Sequence, residues 1–259
     1  MLKDEQKNVC LITFIDAEVE SVKGRILDIG AIKENGNPFH NASLGEFTQF
    51  LRGSEYVCGH NILNHDIKYI GHAIIEAGIN PLNVIDTLYL SPLLFPTKPY
   101  HSLLKDDKLQ TEDRNNPLND SIKAQDLFNS EVAAFLQIDT TLKDIFYLLL
   151  NRTKEFGAFF RFTNYQSTKS DVESQIRLKF QSEICLNSDL AKIISENPIE
   201  LAYSLSLINS FILFRKVHSI TPPWVLKNYP EVERVILLLR SKPCLTGCTY
   251  CENALDIYK

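Results

Sequence analysis

Short apolar runs alternate with helical patterns over about the first ninety residues of the chain. Five runs have the length and the β-branched content of strands, and two longer ones place their apolar residues at helical spacing. The strand-like runs are VCLITFID, RILDIGAIKENG, NPFHNAS, EYVCGHN and NVIDT, and the helical ones are SLGEFTQFLRG and HDIKYIGHAIIEAG. The Asn-Gly pair in KENGNP predicts a hairpin turn. This order predicts an α/β architecture with a mixed five-stranded sheet and flanking helices.

From about residue 118 the pattern becomes almost entirely helical. Two segments, TLKDIFYLLL and IELAYSLSLINSFI, carry apolar residues three and four positions apart. We therefore predict two domains, an α/β domain over residues 1–150 and a mostly α-helical domain over residues 151–259.

The first predicted strand ends in two acids. Phe14, Asp16 and Glu18 lie on one face, and the other face is apolar as well, which is typical of a central strand. The two carboxylates are about 6.6 Å apart by strand rise. Like charges this close raise each other's pKa unless a cation lies between them, and carboxylate oxygens suit Mg²⁺ or Mn²⁺. The alternative is that Asp16 and Glu18 begin a solvated loop.

Composition and charge narrow the class of protein. The chain has 44% hydrophobic residues and a net charge of −5, so any nucleic-acid binding must rely on a local patch or on metal ions. Its start, MLKDEQKN, has no apolar signal region, and no apolar run approaches the roughly 20 residues that span a bilayer. We expect a cytoplasmic protein without a membrane partner, whose six cysteines are thiols or metal ligands.

Two further acids follow in characteristic places. CGHNILNHDIKYI ends a strand with His60 and Asn61 and starts a helix with Asp66, and NNPLNDSIKAQDLF starts a later helix with Asp120. With FIDAE and the following DIGAI, these motifs resemble the DnaQ-like 3′–5′ exonucleases of the DEDD group, which have a ribonuclease-H-like fold. The resemblance covers residues 8–137, about half of the chain.

The resemblance implies a two-metal phosphodiester hydrolase that degrades single-stranded DNA, with RNA left open as a substrate. Asp16 would bridge two Mg²⁺ or Mn²⁺ ions, and Glu18 and Asp120 would complete one metal site. Asp66 would hold the second metal, mostly through water. The backbone at Ala17 and the pair His60 and Asn61 would contact the terminal nucleotide.

One expected residue is replaced. The DEDD enzymes have a histidine five positions, or a tyrosine four positions, before the last aspartate, where this chain has Asn115 and Asn116. An amide cannot accept a proton from water near neutral pH, so Asn115 is placed with the substrate-contacting residues and activity is in doubt. His101 is weighed as a substitute base, although a structural role is favoured. His65 is expected to point away from Asp66.

The helical half ends in a cysteine cluster, CLTGCTYCEN, which contains Cys244, Cys248 and Cys251. CTYCEN looks like a zinc knuckle, and Cys185 is the natural fourth ligand because Cys10 and Cys58 lie in core strands. Four thiolates would hold Zn²⁺. A [4Fe–4S] cluster, as in the iron–sulfur staple of some nuclease-helicase proteins, and reduced thiols without metal are the alternatives.

The segment RTKEFGAFFRFTNYQSTKS interleaves basic and aromatic residues, a pattern that can follow a single nucleic-acid strand. We favour a buried helical face for Phe156, Phe159 and Phe160.

A weaker resemblance, to the nuclease-like leader of bacterial RecQ-type helicases, involves NNPLNDSIKAQDLF, SITPPWV and the late cysteines. It implies a fragment of a longer DNA repair or helicase protein, with a helicase domain in the same chain. Two function hypotheses follow: a metal-dependent exonuclease, or a catalytically weak nuclease fold that serves as a DNA- or protein-binding module.

Overall fold

The computed structural model describes residues 11–20, 23–103, 116–214, 221–240, 244 and 247–257, without the side chains of 211–214 and 254–257. Two compact units divide the chain. Unit 1 comprises Met1–Leu88 and Ser102–Glu131, and unit 2 comprises Tyr89–His101 and Val132–Lys259. Spatial grouping does not test whether a segment folds alone, so the boundary near residue 150 stays a prediction.

Unit 1 contains the five-stranded mixed sheet that the sequence predicts. Its elements, in chain order, are β1 (Ile12–Val19), β2 (Ile26–Lys33), β3 (Pro38–His40), α1 (Leu44–Leu51), β4 (Tyr56–Gly59), α2 (Ile67–Glu76) and β5 (Val84–Asp86). The strand order is β3-β2-β1-β4-β5. β1 pairs antiparallel with β2 and parallel with β4, so it is the central strand, as expected.

The predicted turn and strand ends are also present. β2 and β3 form an antiparallel pair joined at Asn35 and Gly36, and Gly36 adopts a positive φ of 85° that a side chain would disfavour. β4 and β5 are parallel, so β1, β4 and β5 end at the same edge of the sheet. Side chains that follow these strands therefore lie at one edge.

Helices cover both faces of the sheet. On one face, Phe39 of β3 packs its ring 5.6 Å from the ring of Phe47 in α1. On the other face, Phe14 of β1 packs its ring 5.7 Å from Phe128 of the long helix α4 (Pro117–Gln137). Burial of both faces explains why β1 has apolar residues at successive positions. Cys58 of β4 is fully buried, as predicted, and Cys10 lies outside the described residues.

A helix that the sequence did not indicate precedes α4. The segment TLYLSPLL forms α3 (Thr87–Leu94), although it contains Pro92. Residues 87–93 are all buried, so the helix has no exposed polar face and no period of 3.6 appears in its sequence. Periodicity cannot identify such a helix.

Unit 2 is helical over its described residues, as expected. Its elements after α4 are α5 (Thr140–Leu150), α6 (Gly157–Phe162), α7 (Val172–Lys179), α8 (Leu190–Glu196), α9 (Pro198–Phe214), α10 (Pro223–Asn228), α11 (Glu231–Arg240) and α12 (Thr249–Ile257). Phe156, Phe159 and Phe160 are buried, which confirms that these three rings belong to the core. None of the described helices is both long and apolar enough to cross a bilayer.

Candidate functional site

The two acids at the end of β1 face the first turn of α4. In the antiparallel pairing, Asp16 lies opposite Gly30 of β2, so the two residues project to the same face. A Cβ atom on Gly30 would lie only 1.9 Å from the backbone nitrogen of Leu118. Glycine is therefore required where the start of α4 rests on β2. Asp120 is in this first turn, and Asp16, Glu18 and Asp120 are all partly exposed.

Asp66 has an unusual place for a residue that precedes a helix. It occupies the N-cap position of α2, yet its side chain caps no backbone N–H of that helix. Instead its Oδ1 accepts a hydrogen bond of 3.0 Å from the backbone N–H of Ala17. Asp66 is only 2% exposed. Its carboxylate is thus fixed against β1 at the residue between Asp16 and Glu18.

Burial sets the electrostatics of Asp66. Removal from water raises the pKa of this carboxyl group to about 6, against the opposing effects of His65 and of the Ala17 N–H donor. A cation near this buried carboxyl group would therefore stabilise its ionised form.

The position of His65 differs from the expectation. Its Nδ1 lies 3.6 Å from Oδ1 of Asp66 rather than pointing away from it. The expectation assumed helical geometry, in which neighbouring residues diverge by about 100°. Here α2 begins at Ile67, and His65 lies in the turn that precedes it. An exposed imidazole therefore lies beside the Asp66 carboxylate.

A carboxylate that sequence reasoning missed holds the loop between β4 and α2. Asp86, the last residue of β5, is fully buried and accepts hydrogen bonds from the backbone N–H groups of Asn61, Leu63 and Leu88, at 2.8, 3.0 and 2.9 Å. Burial raises the pKa of Asp86 to about 7. An acid that ends a short apolar run is the signal that identified Asp16, and applied to NVIDT it would have found Asp86.

The Gly-His-Asn segment is held tightly at the same edge. A Cβ atom on Gly59 would lie 2.7 Å from the carbonyl oxygen of Ile15, so β4 approaches β1 as closely as a glycine allows. The His60 Nδ1 and the Thr87 hydroxyl are hydrogen-bonded at 2.9 Å. Asn61 adopts a left-handed φ of 65°, a conformation that asparagine tolerates better than most residues. His60 and Asn61 are both partly exposed beside the loop that leads to Asp66.

The position of the missing base lies partly outside the described residues. Asn115 is not among them, and the neighbouring Asn116 caps α4 through its Oδ1, which accepts from the N–H groups of Leu118 and Asn119. His101 belongs to unit 2, is 5% exposed and hydrogen-bonds Ser91 through Nδ1 at 2.8 Å. Burial lowers the pKa of His101 to about 4, which agrees with the favoured structural role.

The structure brings the acid-bearing segments together, but not the four carboxylates as a ligand group. Across the described ranges, one set of three or more Cys, His, Asp or Glu ligand atoms is close enough to hold a metal ion, and it is not this one. The Lys123 ammonium lies 3.8 Å from the Asp120 carboxylate.

That set is the cysteine group. The sulfur atoms of Cys185, Cys244, Cys248 and Cys251 all lie within 4.8 Å of one another, so the four cysteines could hold a metal ion. The inference that Cys185 joins the three late cysteines is confirmed. Leu186 and Tyr250 pack against the group, and Cys251 is 1% exposed.

Backbone contacts shape the cysteine group. The Cys244 N–H donates to the Cys251 sulfur at 3.2 Å, and Gly247 turns the chain between Cys244 and Cys248 with a φ of 70°. Burial, together with the neighbouring thiols, raises the pKa of Cys251 to about 12. Since thiolates are the metal-binding form, a bound cation is what would allow these sulfurs to ionise together.

No protein family model, curated protein or solved structure matches this chain.

Proposed function

We propose that unit 1 is a metal-dependent 3′–5′ exonuclease that hydrolyses phosphodiester bonds of single-stranded DNA. The observation that carries this proposal is the hydrogen bond between Asp66 and the N–H of Ala17, the residue that separates Asp16 from Glu18 in β1. The contact of α4 with Gly30 adds the first turn that contains Asp120. These two contacts support the proposal, because the resemblance to DnaQ-like enzymes implies acids from three separate segments near the end of β1.

The fold supports the same proposal. The five-stranded order, with β2 antiparallel to β1 and the strands β1, β4 and β5 parallel, is compatible with a ribonuclease-H-like fold. Ligands of open α/β sheets bind beyond the carboxyl ends of the strands, and the acids lie at that edge.

The donor chemistry fits Mg²⁺ or Mn²⁺, because every candidate ligand is a carboxylate oxygen. We assign Asp16, Glu18 and Asp120 to direct metal contact and Asp66 to contact through water. Bound divalent ions would stabilise the negative charge that develops on the attacked phosphate. Asp16, Glu18 and Asp120 are partly exposed, so a hydrated cation from solvent can reach their carboxylates. We assign His60, Asn61 and the backbone of Ala17 to the terminal nucleotide.

Digestion of end-labelled oligonucleotides tests the proposal. We expect the full chain to shorten single-stranded DNA from the 3′ end with Mg²⁺ or Mn²⁺, and a parallel RNA substrate to show which sugar is preferred. Asp16→Ala and Asp120→Ala should abolish digestion. Asp126→Ala is the matched control, because Asp126 is an exposed acid of the same helix, outside its first turn. Digestion that persists in excess chelator, or in Asp16→Ala, would refute the proposal.

The second candidate is a catalytically weak nuclease fold that binds DNA or protein, for instance as a module of a helicase. The observation that favours it is the carboxylate arrangement, in which Lys123 approaches Asp120 and no close ligand group forms within the described part of the chain. The residue type at position 115 also favours this candidate, because an asparagine amide cannot serve as a general base. DNA binding without metal-stimulated cleavage would support this candidate over the first.

We propose that the cysteine group of unit 2 binds one Zn²⁺ ion. Tetrahedral zinc with Zn–S bonds near 2.3 Å places its four sulfurs about 3.8 Å apart. The four sulfurs of this group lie within 4.8 Å of one another, so a small contraction would fit them to zinc. A [4Fe–4S] cluster occupies the space between its cysteines and so needs a wider spacing. Elemental analysis of reduced protein decides the matter: about one zinc per chain supports the proposal, whereas iron with a brown colour supports the cluster.

A further inference from the structure

A small cavity opens in unit 2 between the end of α5 and α6. Its volume is about 230 Å³, and three aromatic rings form its wall. The Tyr147 ring packs edge-on against Phe160 at 5.4 Å and lies 6.0 Å from the ring of Tyr165. Neither tyrosine is fully buried, so both contribute ring surface to the cavity.

The rim of the cavity is polar and carries one positive charge. Arg161, Asn164 and Gln166 line it, and all three side chains are exposed. Asn164 adopts a left-handed φ of 49°, which turns the chain at the end of α6 and places Tyr165 beside α5. The rim therefore offers a guanidinium group and two amides, which can both donate and accept hydrogen bonds.

The wall is held in place without a ligand. The Tyr165 hydroxyl donates to the Asp144 carboxylate at 2.8 Å, and its ring packs edge-on against Phe135 at 5.4 Å. Burial and the Asp144 carboxylate raise the pKa of Tyr165, so the hydroxyl stays protonated and keeps donating. At Gly157 a Cβ atom would lie 2.8 Å from the Asn151 carbonyl oxygen, so α6 approaches the end of α5 as closely as glycine permits.

Size and chemistry restrict the ligand. Sites for drug-sized molecules are roughly 300–1,000 Å³, so this smaller cavity suits a single planar ring system rather than a large cofactor. Aromatic walls stack on planar heterocycles, amides pair with their polar edges, and a guanidinium group binds a phosphate through two parallel hydrogen bonds. A nucleotide combines these three features.

We propose that the cavity lined by Tyr147, Phe160, Arg161 and Tyr165 binds one nucleotide, with its base against the tyrosine rings and its phosphate at Arg161. The nucleotide is free or belongs to a single strand. Preference for a DNA strand rests on the exonuclease function proposed for unit 1. The binding itself does not, because the cavity contains none of the acids assigned to catalysis.

Binding is measured on the full, zinc-loaded chain without added Mg²⁺ or Mn²⁺, with dAMP in one arm and a fluorescent oligothymidylate in the other. Arg161→Gln should weaken binding about tenfold or more, because a hydrogen-bonded charge is removed. Arg152→Gln is the matched control, since Arg152 is an exposed arginine of the same segment that does not line the cavity. Arg161→Lys should restore only part of the affinity, because an ammonium group cannot bind bidentately.

Photocrosslinking with a bromodeoxyuridine oligonucleotide gives a readout that does not depend on variants, and the crosslinked peptide should contain Tyr147 or Tyr165. Binding of the oligonucleotide alone would identify the ligand as a nucleotide within a strand, and binding of dAMP alone a free one. No binding in either arm, equal losses in Arg161→Gln and Arg152→Gln, or crosslinks elsewhere would overturn the proposal. Binding retained in Asp16→Ala, with digestion absent from the wild type, would contradict only the exonuclease proposal.

Discussion

Asp86 shows how one buried carboxylate organises the loop that leads to the candidate catalytic acids. Three backbone N–H groups donate hydrogen bonds to its two carboxylate oxygens. Two of these donors, Asn61 and Leu63, belong to the loop between β4 and α2. A side chain that satisfies three buried donors fixes that loop relative to β5. Asp86 is therefore a positioning residue for Asp66 rather than a metal ligand.

We predict that Asp86→Ala destabilises the chain strongly. Three N–H groups would lose their acceptor, and each buried unsatisfied group costs about 1–3 kcal/mol. Asp86→Asn should be intermediate, because one oxygen still accepts while the new NH₂ group faces the Leu63 N–H. Urea unfolding measures the difference in free energy. An alanine variant as stable as the wild type would show that the loop is held by other contacts.

Under the exonuclease proposal, Asn115 is the residue on which the rate of unit 1 depends. We predict that Asn115→His raises the rate of hydrolysis about 10²-fold or more, because it restores a proton acceptor at the position where DnaQ-like enzymes have one. Single-turnover digestion with Mg²⁺ measures the rate. Equal rates would mean that another group already accepts the proton, and a slower variant would mean that Asn115 contacts the substrate.

At the scale of the elements, the contact between β2 and α4 is the most restrictive. Gly30→Ala would place a methyl group 1.9 Å from the Leu118 nitrogen, so the first turn of α4 must move away from Asp16. We predict a loss of stability of about 1–3 kcal/mol, the usual cost of overpacking, and a loss of digestion. Gly45→Ala is the control, because nothing lies within 4 Å of a Cβ atom at that position of α1. Equal stability of the two variants would contradict the contact.

Arg177 of α7 is placed to support the cysteine group. Its guanidinium group donates to the carbonyl oxygens of Leu186 and Ser188, which follow Cys185. The same group donates from Nη2 to Oε1 of Glu173 at 2.6 Å. We predict that Arg177→Lys lowers metal affinity about 10-fold or more, as is typical for residues that orient metal ligands. Competition with a chromophoric chelator measures the affinity. Arg234→Lys is the control and should change nothing, because Arg234 is an exposed arginine of α11 that pairs with Glu231.

The order of elements in unit 1 could be predicted because strand and helix periodicities are local properties of the sequence. Asp16 and Glu18 could be assigned to one face of β1 for the same reason, since side chains alternate along a strand. The contacts that position the site are not local: Asp66 bonds Ala17 across 49 residues, and Gly30 matters only because Leu118 rests on it. Helix α3 was not predicted, because a helix that is buried on every side has no hydrophobic periodicity in its sequence.

At the scale of the whole molecule, the chain carries two candidate sites of different chemistry in two units. The acids of unit 1 offer hard oxygen ligands with partial exposure, which suits ions that exchange ligands during a reaction. The cysteines of unit 2 offer four soft sulfur ligands and mostly buried side chains, which suits a closed structural ion. We therefore assign reaction chemistry to the first site and stabilisation to the second.

The last prediction concerns removal of the metal from unit 2. Cys185 follows α7, and its N–H donates to the carbonyl oxygen of Leu239 in α11 at 2.7 Å, while Cys248 and Cys251 are at the start of α12. An ion bound by all four cysteines would join these segments. Because metal binding is coupled to folding, a chelator or Cys248→Ser should lower the melting temperature of unit 2.

Cys58→Ser is the matched control, because Cys58 is a buried thiol of unit 1 that takes no part in the cysteine group. It should leave the metal content at about one zinc per chain, whereas Cys248→Ser should lower it. Calorimetry follows the melting of each unit, and digestion with added Mg²⁺ should change little in Cys248→Ser. Fresh reduced protein that contains no metal and melts identically with and without chelator would contradict the zinc site, because the four clustered thiols would then be stable without an ion.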